Sequence, residues 1–133
     1  MNYLLDTHTF LWSLTEKRKL SLSALRAIEN TDNAILVSAI SFWEISLKAS
    51  LNKLDIIGFL PEELPEIAIK SGFELVPISP EFSASYHLLP YIGQHRDPFD
   101  RMLIWQAIQQ KYVLISKDDN IKQYKSAGLK VLW

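Results

Sequence analysis

Residues 112–120, YVLISKDDN, set a short aliphatic run directly against two aspartates. A run such as Val113 to Ile115, bounded by polar residues, is too short for a core helix and suits a strand covered on both faces. Runs of the same kind recur outward along the chain at Tyr3 to Leu5, Ala34 to Val37, Phe73 to Ile78 and Lys130 to Leu132. Between them, residues 8–15, 21–30, 39–53, 61–71, 80–89, 98–111 and 119–126 carry helical spacing. Strands separated by helices need crossover connections, so the chain reads as α/β, a parallel sheet with helices on both faces. Ser21 and Ser79 suit helix caps, Pro61 and Pro98 first helical positions, and Gly72 and Gly128 helix ends. The segment Leu51 to Ile67 is apolar yet broken by Gly58, Pro61 and Pro65, and is expected to form a surface helical hairpin.

Composition narrows the functional classes. The 133 residues are 48% hydrophobic, enough for a core in one domain. Fifteen acids oppose fourteen bases, so any nucleic-acid contact must come from a local patch rather than the whole-molecule field. The absence of cysteine excludes disulfides and thiolate metal sites and suits a reducing compartment. The start lacks a basic leader, and no apolar run approaches the roughly 18 residues that cross a bilayer. Cytoplasm is the expected location.

Ligands of an open parallel sheet bind beyond the carboxyl ends of its strands, so acids placed there carry weight. Asp6 closes the first strand and Asp118 follows Val113 to Ile115, each also able to act as a helix cap. Glu44 shares a stripe with Ile40, Leu47 and Leu51, which aims a carboxylate where apolar residues point. It reads either as an i,i+4 partner of Lys48 or as a member of an acid cluster held by a metal. Asp97 before Pro98 fits an N-cap, with a role in positioning a metal-bound water as the alternative. Asp100 falls at N3, where the helix dipole favours an anion, on a stripe with Ile104, Ala107 and Ile108. Carboxylates crowded on one rim repel one another unless a cation intervenes, and Mg2+ or Mn2+ prefers such oxygen donors. His8, His87 and His95 lack paired metal-ligand spacing, while His95, Arg96 and Arg101 are placed to hold phosphate or to neutralise Asp97 and Asp100.

Four stretches, LLDTHTFLW from Leu4, VSAISFWEISLK from Val37, HRDPFDRMLIWQA from His95 and LISKDDNIKQY from Leu114, together resemble the PIN-domain ribonucleases, specifically the VapC-type toxins of prokaryotic toxin–antitoxin pairs. The resemblance runs the length of the chain and implies one PIN domain over residues 1–133. It implies a three-layer α/β/α sandwich with a mainly parallel five-stranded sheet. It further implies a magnesium-dependent endoribonuclease, with manganese a substitute, whose metal-activated water cleaves RNA phosphodiester bonds. A cognate protein antitoxin and a homodimer are its implied partners. Matched by motif, the site acids are Asp6, Glu44, Asp100 and Asp118, with Asp6 and Asp100 the expected direct metal ligands. Thr7, Ser38 and Ser116 match small hydroxyl positions that orient water or phosphate, or simply cap and turn the chain. Trp105 departs from the small residue usual in the third motif. The doublet Asp118-Asp119 leaves the fourth acid ambiguous; Asp118 is taken as the site acid and Asp119 as the helix cap.

Phe10, Leu11, Trp12 and Leu14, with the apolar segment Leu54 to Leu64, are more apolar than surface elements need. They are expected to form an antitoxin groove, with core or dimer seam as the alternative. Two other functions compete. A catalytically inactive PIN-like binding module would have lost site acids, and all four are present. A receiver-like phosphorylation domain needs an acid closing its central strand; with Phe73 to Ile78 taken as that strand, Ser79-Pro80 follows and no acid does.

Overall fold

The computed structural model describes residues 1–56 and 58–133. Strands β1 (Asn2–Leu5), β2 (Ala34–Ser38), β3 (Glu74–Val76), β4 (Val113–Ile115) and β5 (Lys130–Leu132) form one parallel sheet in the order β3-β2-β1-β4-β5. In register, Leu4 lies beside Leu36 on one side and Leu114 on the other, while Leu5 lies beside Ile115. Successive strand residues point to opposite faces, and both faces are buried. Leu4, Leu36 and Leu114 pack with Leu103, Ile104, Ile121 and Tyr124, whereas Leu5, Ile35, Val37 and Ile115 pack with Phe10, Ala24, Ile45 and Leu64. The result is the three-layer α/β/α sandwich that the sequence implies.

The helices are α1 (Thr7–Thr15), α2 (Leu22–Glu29), α3 (Ala39–Ser50), α4 (Leu64–Lys70), α5 (Pro80–Ser85), α6 (Pro98–Gln110) and α7 (Asp119–Lys122). Most begin on a side-chain cap: Asp6, Ser21, Ser38, Ser79, Asp97 and Asp118 each accept from a backbone N–H of the first turn. Several caps are thus also the residues that close strands, which ties the loop at the carboxyl edge to the helix that follows.

The fold corrects several expectations. Helix α3 stops at Ser50, because Leu51 closes onto the Leu47 and Lys48 carbonyls and Asn52 turns left-handed at φ 53°. No helical hairpin follows among the described residues of 51–67. Leu54, Ile56 and Phe59 instead pack as irregular chain on the core, and a short 3-10 turn, Pro61–Glu63, leads into α4. Ile57, within that expected hairpin, lies outside the described residues. Phe10 is fully buried and belongs to the core rather than to a groove. The strand β3 is at the sheet's edge; the central strand is β1, and the residue closing it is Asp6. Trp105 is accommodated by donating its indole N–H to Ser85 Oγ at 2.9 Å, between α6 and α5.

Candidate active site

The sheet order places β1 between its two oppositely directed crossovers, toward β2 on one side and β4 on the other, which is where open α/β sheets take ligands. The crevice is stitched at its floor by the Asp6 N–H and the Thr9 hydroxyl, both donating to the Ile115 carbonyl at 3.2 Å. Asp6 leans over it with one carboxylate oxygen accepting from Thr9 N–H at 2.8 Å. Burial pushes the Asp6 carboxyl above its ordinary pKa, against hydrogen bonds from Ser116 and Thr9 that favour the charged form.

Glu44 enters from α3, buried at 3% exposure. Thr7 donates to its Oε1 at 2.6 Å, and Lys48 forms an ion pair with its Oε2. The ion pair with Lys48 is therefore present, and the Glu44 charge is also felt by Asp100. The Asp100 side chain, 20% exposed, stands in the first turn of α6. Its pKa is pushed up to about 8 by burial and then by the charges of Asp97, Glu44, Asp6 and Asp118. Lys48 is the ammonium facing this group. Its burial opposes a charge, yet Glu44, Asp97 and Asp100 hold its pKa above the ordinary value.

Asp118 caps α7 by accepting from Asn120 N–H at 2.9 Å, so the cap is Asp118 itself and not Asp119. The Asp119 side chain is 96% exposed and paired with Lys122, away from the cluster. Asp118 with Asp6, His8, Trp12 and Lys117 lines a hollow of about 320 Å³ at the sheet edge. Asp97 is the α6 cap, accepting from the N–H groups of Phe99 at 2.9 Å and Asp100 at 3.3 Å.

Among the hydroxyls, Ser38 is spent on capping α3, while Thr7 touches Glu44 and Ser116 touches Asp6. Arg101 does not hold phosphate. It is fully buried, donating to the Leu89 and Pro90 carbonyls and to the hydroxyls of Tyr86 and Tyr124. A cation with four internal acceptors and no solvent access has nothing left for a substrate. Arg96 stays exposed at the rim, bonded to the Gly93 and His95 carbonyls and lying over the Tyr91 ring. The neutralising alternative for His95 fits its contact with Asp100, though the ring is buried rather than on a solvated face, while sequence reasoning missed His8, exposed and stacked on Trp12 beside Asp6. Adjacency to the site acids was the available signal for His8.

Among the described residues no three His, Asp or Glu side chains converge as a ready-made cation cage. The donor set is nevertheless the one a hard cation takes, oxygen only, and the Asp100 carboxyl is raised to about 8 by burial first and by the neighbouring negative charges second. Magnesium needs only one or two carboxylates, with water and phosphate completing its shell, so the residues fit that ion.

The family model described as PIN domain matches residues 3–127. The chain belongs to the PIN domain family. This PIN chain is 29% identical over 132 residues to Ribonuclease VapC22 of Mycobacterium tuberculosis, covering 98% of this chain and 97% of that protein. Solved structures with the same fold include VapBC2 from Rickettsia felis bound to a promoter DNA fragment, with TM-score 0.68, 18% identity and 99% and 98% coverage. Another is DNA-bound VapBC from Salmonella typhimurium, with TM-score 0.61, 17% identity and 99% and 97% coverage. At those identities the structural likeness bears on the fold, and the PIN sandwich is common to all.

Proposed function

We propose that this PIN chain is a magnesium-dependent endoribonuclease of the VapC type, the toxin of a toxin–antitoxin pair acting in the cytoplasm. The observation that carries the reading is the half-buried Asp100 at the carboxyl end of the sheet, whose carboxyl is pushed up to about 8 by burial and then by the charges of Asp97, Glu44, Asp6 and Asp118. Bound there by Asp6 and Asp100, magnesium or manganese would neutralise the cluster, hold the scissile phosphate and acidify an attacking water. Asp118 faces the same hollow as Asp6 and would orient water on that side. Thr7 and Lys48 hold the Glu44 carboxylate in place by its two oxygens. The preference for RNA over DNA follows the ribonuclease relative.

A protein antitoxin is supported by a second hollow of about 500 Å³ that shares His8 and Trp12 with the acid-lined one and is otherwise lined by residues such as Leu11, Leu54, Ile56, Arg18 and Asp55. A homodimer is supported by the exposed apolar residues Trp43 and Leu47, one turn apart on α3, and Leu51 at its C-terminal cap. A binding module without cleavage is the second reading, favoured by Lys48, which already supplies one cation to the cluster.

Single-stranded RNA incubated with the purified chain separates them. Cleavage should need added magnesium or manganese and stop with EDTA, and Asp6→Asn and Asp100→Asn should stay folded and inactive. RNA that is bound but never cut with either metal establishes the second reading, and cleavage that persists in EDTA overturns the metal.

A further inference from the structure

We infer that His95 is a positioning residue for Asp100, the last link of a buried relay from Arg101 through Tyr124 and His95 that fixes where the Asp100 carboxylate stands. The inference rests on the reading of Asp100 as a cation ligand. Its geometry comes from the direction of the donors. Arg101 can only donate, and its Nη1 donates to the Tyr124 hydroxyl oxygen at 2.8 Å. That leaves the proton of Tyr124 for His95 Nδ1, 3.1 Å away. An imidazole accepting at Nδ1 keeps its own proton on Nε2, which faces Asp100 Oδ2 at 3.4 Å.

Each link is held from outside the relay. Arg101 is pinned by the Leu89 and Pro90 carbonyls and by Tyr86, and its guanidinium lies 3.8 Å from the Tyr91 ring centre. Tyr124 is fully buried. The His95 side chain, 6% exposed, meets the Tyr124 ring edge-on with centroids 5.5 Å apart. Asp100 has no other side-chain hydrogen bond among the described residues, so its rotamer on the first turn of α6 depends on His95. Carboxylates that bind metals are commonly oriented in this way by an outer hydrogen-bond partner, whose loss costs about 10–100-fold in metal affinity.

The test is Mn2+ binding to the metal-free protein, followed by the electron paramagnetic resonance signal of free Mn2+, with melting curves for every variant. His95→Leu should weaken Mn2+ binding by about 10-fold or more. Tyr124→Phe, which removes only the hydroxyl between Arg101 and His95, should weaken it by a smaller factor, and His95→Gln, which retains a donor at the Nε2 position, should stay near wild type. Folded His95→Leu and Tyr124→Phe proteins that bind Mn2+ as tightly as wild type overturn the inference while leaving the metal reading intact. If His95→Leu does not fold, Tyr124→Phe decides alone. Equal losses in His95→Gln and His95→Leu also overturn it, because the donor would then be irrelevant. Wild-type protein that takes up no Mn2+ overturns the cation reading and the relay's purpose together.

Discussion

Asp97 and Asp100 sit three residues apart and do different work. Asp97 spends its carboxylate on two backbone N–H groups, so Asp97→Asn keeps the acceptor and should preserve both stability and cleavage. Asp97→Ala should lose about 1 kcal/mol in chemical denaturation while the remaining folded protein still cleaves. Asp100→Asn should instead remain folded and lose cleavage, since the amide keeps shape but not the charge that attracts a cation. The opposite pattern, a dead Asp97→Asn beside an active Asp100→Asn, would exchange their roles. Glu44 is harder to read by stability alone, because Gln at 44 loses its ion pair with Lys48 but also relieves repulsion on Asp100. The Lys48 side chain is 36% exposed and can turn to water, so Glu44→Gln should shift stability by about 1 kcal/mol or less in either direction. Cleavage should nevertheless collapse, and a fully active Glu44→Gln enzyme would remove Glu44 from the site.

At the scale of elements, α6 shows where pattern reading works and where it stops. Its start was legible, because Asp97-Pro98 is a cap followed by a preferred first residue. Its burial was not. Arg101, Leu103, Ile104, Trp105, Gln106 and Ala107 are all buried, because α5 and the 3-10 turn Tyr86–Leu88 cover the side of α6 that the sheet does not. A stripe argument assumes one wet face and therefore places an arginine in water. Arg101→Met should accordingly lose about 3 kcal/mol or more of unfolding free energy, since it strands the buried Leu89 carbonyl and the buried Tyr124 hydroxyl and also removes the bonds to the Pro90 carbonyl and the Tyr86 hydroxyl. Loss of RNA affinity without loss of stability would return Arg101 to the substrate side. The strands were legible for a complementary reason: β1, β2 and β4 are buried on both faces and so must be apolar at successive positions. The edge strand β3, with Glu74 and Leu75 exposed, came out shorter than its aliphatic run. The segment after α3 was misread because apolar residues that pack as irregular chain look the same in sequence as those of a helix.

For the whole molecule, Asp6 and Asp118 were readable as strand-end acids and Glu44 and Asp100 as acids on apolar helix stripes, but the cost of burying them near one another appears only in the fold. That cost has a sign. Asp100, with an ordinary pKa of 3.8 and a folded value of about 8, holds its proton in the folded chain over a range where the unfolded chain has released it. The raised pKa of Asp6 acts in the same direction. The folded state therefore binds more protons than the unfolded one, and the stability of metal-free protein falls as pH rises through the interval from 3.8 to about 8. With partial solvent access allowed for, the loss between about pH 5.5 and about pH 8 should be on the order of 1–2 kcal/mol, or roughly 3–8 °C in Tm. A divalent cation competes with those protons, so magnesium should raise Tm more at the higher pH than at the lower. Asp100→Asn should flatten the pH dependence in EDTA and abolish most of the magnesium effect. Circular dichroism melts of both proteins at the two pH values, with EDTA or magnesium, read all of this at once. A metal-free wild type that grows more stable from about pH 5.5 to about pH 8, or a magnesium effect that survives in Asp100→Asn, would show that the carboxylates are not crowded around Asp100 and that the cation sits elsewhere.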